Sequence, residues 1–199
     1  MINIVRALIG GLFLMGSIPG VEAVGQQLPF KTQSLTLRYK IDKTLGYQSD
    51  PQHESDGYVR YQVKGQIFPN GSGSIIAAPS TKRATPWETL EELLSAYQKK
   101  DTQLIKNLFT IQSQAKIEQM LSDKQKRGRF LDAIGSIQHM IVFIGFEYKG
   151  GFVVLIQTHE GEPPFPFYLV QESGQWKMSS FEDTGVMVVN IAMCLWKKP

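Results

Sequence analysis

The chain predicts an α+β fold in which helices pack on a curved antiparallel sheet. Three observations carry that reading. A capped amphipathic helix stands mid-chain at 85–100, two further helical patterns follow it, and then the hydrophobic period drops to two. The period-two region comprises four segments joined by short links, the pattern of an antiparallel meander. Two earlier alternating segments add strands on the N-terminal side.

In chain order, Arg6 and the apolar run 7–18 form the n- and h-regions of an export signal, broken by Pro19-Gly20. The run is short for a bilayer-spanning anchor, although a retained N-terminal anchor is the alternative. Val21-Glu22-Ala23 supplies the cleavage site, so 1–23 reads as a signal peptide and the mature chain begins near Val24. No cysteine follows the h-region, which excludes lipoprotein processing. Cys194 is the only cysteine and cannot form an intramolecular disulfide. Export without disulfides points to a bacterial periplasmic or extracellular protein. The net charge is +3, and the leader holds one Arg and one Glu, so it is unchanged after cleavage. That mild excess argues against a nucleic-acid binder.

Residues 24–33 form a polar lead-in. Over 34–41, Leu35, Leu37, Tyr39 and Ile41 alternate with polar residues as in a half-buried strand. The stretch 42–56 is a polar loop, and 58–68 alternates again through Val59, Tyr61, Val63 and Ile67. Pro69-Asn70-Gly71 is turn chemistry, which makes 74–78 the returning strand of a hairpin. At 85–100, Thr85 caps, Pro86 takes the first helical position and Glu88 completes the capping box. Trp87, Leu90, Leu93, Leu94 and Tyr97 form the apolar stripe, while Glu88, Glu91, Glu92 and Gln98 face elsewhere. Asp101 caps a short helix carrying Leu104, Ile105, Leu108 and Phe109. The region 113–134 is helical, with Ile117, Met120, Leu121, Phe130, Leu131 and Ile134 inward and Gly128 challenging its continuity. Strands are expected at 140–148, 152–158, 165–172 and 175–181. The tail 184–196 reads as a helix on Met187, Ile191 and Leu195, with a Val-rich strand as the alternative. The organisation is a signal peptide (1–23), a β-rich extension of strand plus hairpin (24–84) and an α+β domain (85–199).

Helices followed by a long meander, the corner Leu94-Ser95-Ala96-Tyr97-Gln98-Lys99-Lys100-Asp101 and the late strand Gly174-Gln175-Trp176-Lys177-Met178 resemble the NTF2-like superfamily of cystatin-like cone folds. The resemblance covers roughly 85–181 and leaves 34–84 as extra strands. It implies a pocket between the helices and the concave sheet, lined by Tyr97, Phe143, Phe167 and Trp176. In that superfamily the pocket serves isomerases, dehydratases, binders and dimerisation modules alike, so fold alone selects no function.

Residue chemistry narrows the field. An isomerase or dehydratase would draw on Asp132, Glu147, Tyr148 or Tyr168, but strand parity sets Glu147 and Tyr148 on opposite faces. His53, His139 and His159 lack metal-site spacing, and Cys194 has no base beside it. Asn70-Gly71-Ser72 is a glycosylation acceptor in a eukaryotic host alone. The densest charge cluster is Lys124, Lys126, Arg127 and Arg129, suited to an anionic headgroup, polymer or acidic partner. The expectation is therefore an exported, non-catalytic binding or interaction module of the cell envelope. It would take a small apolar ligand or a protein partner, with no cofactor, no metal, no nucleic acid and homodimerisation through the open sheet face. A cavity enzyme of isomerase or dehydratase type is the competing class.

Overall fold

Thr85 starts the helix on which the described structure is assembled. In the computed structural model, which describes residues 33–40, 58–79 and 82–179, the Thr85 hydroxyl accepts from the Glu88 N–H. The Glu88 carboxylate accepts in return from the Thr85 N–H, closing the capping box of α1 (Pro86–Gln98). Leu90, Leu93 and Leu94 have no exposed surface, and Tyr97 is buried. At the far end the Lys100 N–H donates to Tyr97 O and the Asp101 N–H to Ala96 O, with Lys100 at φ 53°. This is a Schellman ending in which lysine stands where glycine is usual.

Each later helix is started by a side chain of its own. Asp101 caps α2 (Thr102–Asn107), Thr110 caps α3 (Ile111–Ser122) and Asp123 caps α4 (Lys124–Gly135). The helical region expected at 113–134 is thus two helices, and Gly128 is not the break. The break is Asp123, extended at φ −77°, ψ 111°, whose carboxylate accepts from the Gln125 and Lys126 N–H groups. Of the stripe expected there, Ile134 alone is fully buried; the others are half-buried.

Those two N–H bonds, the Lys126 one foremost, hold the Asp123 carboxyl below the usual carboxylate range. A depressed folded pKa means the cap contributes above the ordinary aspartate value and is lost as pH falls through the folded one. We therefore expect acid to fray α4 at its N-terminus in wild type, followed by amide exchange of Gln125 and Lys126, and this acid response to vanish in Asp123→Asn.

The sheet comprises β1 (Gln33–Lys40), β2 (Tyr58–Ile67), β3 (Gly73–Ile75), β4 (Met140–Tyr148), β5 (Gly151–Gln157), β6 (Phe165–Glu172) and β7 (Gln175–Met178). Its order is β1-β2-β4-β5-β6-β7, with β3 also on β4 and every pairing antiparallel. The helices follow β1–β3 and precede β4–β7, so they are not N-terminal to the sheet as expected. The early strands belong to that same seven-stranded sheet.

The hairpin expected around Pro69-Asn70-Gly71 does not form. Ile67 pairs with Ile144 and Gly73 with Val142, so β2 and β3 run collinearly along β4 with a short excursion between them. Asn70 and Gly71 do adopt the left-handed φ of 54° and 68° that a tight hairpin turn requires. Ser72 then returns to right-handed helical angles, and the chain resumes its direction instead of reversing. Genuine two-residue hairpins occur at Lys149-Gly150 and Ser173-Gly174, both with positive φ at the two positions.

The outer edge of β7 is covered. The Trp176 N–H donates to Arg83 O, the Met178 N–H to Leu108 O and the Thr110 N–H to Met178 O. Backbone from the segment before α1 and from the link between α2 and α3 thereby satisfies a strand edge that would otherwise be sticky. A β-bulge between Val142 and Ile144 shifts the register of β4 on β5. Met140, Val142, Phe152, Val154, Ile156, Leu169 and Met178 join the helices in one core. The leader, His53, the tail 184–196 with both its helix and its strand readings, and Cys194 lie outside the described residues.

Candidate functional site

Most of the residues expected to line a pocket are structural. Tyr97 is buried against Phe130 with ring centroids 6.2 Å apart, and burial pushes its phenol pKa up. Phe167 and Trp176 pack on the same helix–sheet core, Trp176 edge-on to Phe152 at 6.3 Å. The interior between helices and sheet is occupied by these side chains and the leucines of α1. Phe143 joins none of them: it sits in the β4 bulge beside Gly71, where a Cβ would come within 3.2 Å of its ring. The structure thus brings together three of the four residues, in a packed core.

The carboxylates considered for catalysis lie at the surface. Glu147 is exposed, and Asp132 is exposed and 3.0 Å from Lys100 Nζ. Tyr148 is half-buried, and the Tyr168 hydroxyl donates to Tyr148 O and Lys149 O. Among the described residues no three His, Cys, Asp or Glu gather as metal ligands. The carboxylate whose pKa is raised is Glu91 on α1, by burial first and by Glu88 second. Its setting is a like-charge pair on one helix face with no nucleophile. Glu91→Gln should raise stability by about 0.2–0.5 kcal/mol at neutral pH, an increment that thermal melts at pH 7 and pH 4 would show shrinking in acid as Glu91 protonates.

One constellation was illegible in the sequence. Ser136 Oγ lies 3.3 Å from His159 Nε2, and His159 Nδ1 lies 3.4 Å from Glu162 Oε2. The residues match a nucleophilic triad, but the protons run the wrong way. The Ser136 hydroxyl donates to Ala133 O at 2.7 Å, which leaves the imidazole as donor to Oγ rather than base. Ser136 also caps the C-terminal end of α4, where the helix dipole disfavours a developing oxyanion. The cluster acts as a latch between α4 and the β5–β6 loop.

The distinctive surface is the corner between α3 and α4. Residues 124–129 are all exposed, and they carry Lys124, Lys126, Arg127 and Arg129. Lys126 pairs with Asp123 at 3.5 Å, and the remaining three cations make no ion pair among the described residues. A Cβ on Gly128 would meet nothing within 4 Å, so this turn of helix projects into solvent. Cations at a helix N-terminus oppose its dipole by about 0.3–1 kcal/mol each, and no acidic residue occupies the first turn. Asp123 offsets part of that repulsion from the cap.

An open groove of about 490 Å³ lies at the start of α3, between Ile111 and the Tyr168, Val170 and Ser179 side of the sheet. Its anion is internal: Glu172 Oε1 accepts from the Ile111 N–H, and Oε2 is 3.1 Å from Lys177 Nζ, an ionic contact without directed hydrogen-bond geometry. No helix among the described residues is long and apolar enough to cross a membrane. No known protein family, curated protein or solved structure matches the chain.

Proposed function

We propose that the protein is an exported, non-catalytic interaction module of the cell envelope that meets an anionic partner with the Lys124–Arg129 corner. One observation carries the reading. Four cations crowd the first six residues of α4, exposed and against the helix dipole, and three of them pair with no carboxylate among the described residues. A local rule broken with only partial internal compensation, from Asp123, is where function is to be sought. Packed side chains between helices and sheet favour a surface partner over the small apolar ligand. The NTF2-like cone belongs to the same proposal, supported by helices inserted before a four-strand meander and by Trp176 on its last strand.

The test is co-sedimentation with vesicles containing an anionic phospholipid, against neutral vesicles. Each cation near such a surface contributes about 1 kcal/mol. The triple variant Lys124→Glu, Arg127→Glu, Arg129→Glu should therefore lose binding by at least two orders of magnitude while its thermal midpoint stays at or above that of wild type, since the new carboxylates favour the helix dipole. Equal sedimentation of wild type and variant would refute the assignment.

A further inference from the structure

The excursion that carries the chain from β2 to β3 holds Asn70-Gly71, and the fold dictates both residues. Gly71 lies at φ 68°, and a Cβ there would stand 2.5 Å from Ile141 Cγ2. Asn70 is exposed and lies at φ 54°, a left-handed position in which asparagine is among the side chains best tolerated. The same pair is chemically reactive. A backbone nitrogen that follows asparagine can attack the side-chain amide, and glycine puts no Cβ in its way. We propose that Asn70 is a succinimide and isoaspartate site, kept closed by the native fold and opened when β2 and β3 lift from β4.

Two features of the excursion close it. The Gly71 N–H donates to Phe68 O and the Ser72 N–H to Pro69 O, each at 3.1 Å. Asn70 also has ψ 29°, which sets the Gly71 nitrogen nearly opposite Cβ across the Cα–C bond. Ring closure needs the two on the same side, so the Asn70–Gly71 peptide must turn over and both hydrogen bonds must break. The ends of the excursion resist that movement. The Phe68 N–H donates to Phe143 O at 2.8 Å on one side, and Gly73 is in register with Val142 on the other.

Once open, the site needs only water. The Gly71 nitrogen loses its proton and bonds to Asn70 Cγ, the Cγ–Nδ2 bond breaks, and ammonia leaves. Water attacking Cγ then gives an α-linked aspartate. Water attacking the backbone carbonyl gives isoaspartate instead, with one extra methylene in the main chain. That methylene falls between Ile67, in register with Ile144, and Gly73, so one of the two pairings on β4 is displaced.

The test is to incubate the full chain in mildly alkaline buffer, folded or unfolded in urea, and to follow Asn70 by peptide mass spectrometry. Residues 65–82 contain no other asparagine, so the conversion is assigned without ambiguity. With two hydrogen bonds to open first, the folded chain should convert at least about tenfold more slowly than the unfolded one. Equal rates overturn the closed site, and no conversion in either state overturns the site itself. Chains carrying isoaspartate should also refold with a lower urea midpoint than Asn70→Asp, which has the charge without the methylene. An isoaspartyl chain with the midpoint of Asn70→Asp overturns the loss of register.

Discussion

Leu94→Ala is expected to lower stability by about 2–5 kcal/mol. Leu94 has no exposed surface and belongs to the core in which α1 meets β4, β5, β6 and β7. Truncation there removes the transfer free energy of three carbons and leaves a cavity whose walls, Leu90 and Leu93 among them, are fixed by the capped helix. Urea midpoints at constant slope measure the loss. Thr85→Ala calibrates it, because losing one acceptor at the cap costs about 1 kcal/mol. Equal and negligible shifts for the two variants would mean that α1 is peripheral.

Arg83→Ala should cost a comparable amount, about 3–5 kcal/mol, by stranding a buried carboxylate. Arg83 Nε lies 2.7 Å from Glu92 Oε2 and its Nη2 lies 3.2 Å from Oε1, a bidentate pair. The side chains are 13% and 9% exposed, so water screens the pair little. It fastens the segment before α1 onto the helix, and the Arg83 carbonyl in turn accepts from Trp176 on β7. The desolvation penalty of both ions offsets much of their attraction, so removing both should cost less than removing one. The double variant Arg83→Met, Glu92→Leu is thus expected to recover most of the stability lost in Arg83→Ala. A double variant no more stable than the single would show that the pair itself, and not the stranded charge, dominates.

Glu92 shows why part of the structure escaped a sequence reading. On a helical projection it sits among the solvated glutamates, and nothing local marks Arg83 as its partner. The capping box of α1 was legible because every group in it lies within four residues. Turn chemistry at Pro69-Asn70-Gly71 was read properly as backbone angles but not as topology, since Ser72 redirects the chain afterwards. Phe143 was expected to line the pocket that the family resemblance implies, and a bulge that no local pattern announces sets it elsewhere. Ser136 and His159 are twenty-three residues apart and meet through tertiary packing alone. The basic corner, by contrast, is a contiguous run, visible in sequence and still exposed once folded. What the structure adds is that three of its four cations make no ion pair among the described residues and oppose a helix dipole.

The salt dependence of wild-type binding to anionic vesicles tests the central claim most directly. Exposed charges act over a Debye length of about 30 Å at 0.01 M ionic strength and about 8 Å at 0.15 M. Binding through the Lys124–Arg129 corner should weaken by at least about tenfold across that range, equivalent to about 1.4 kcal/mol. An affinity independent of salt would place the contact on an apolar surface and contradict the account.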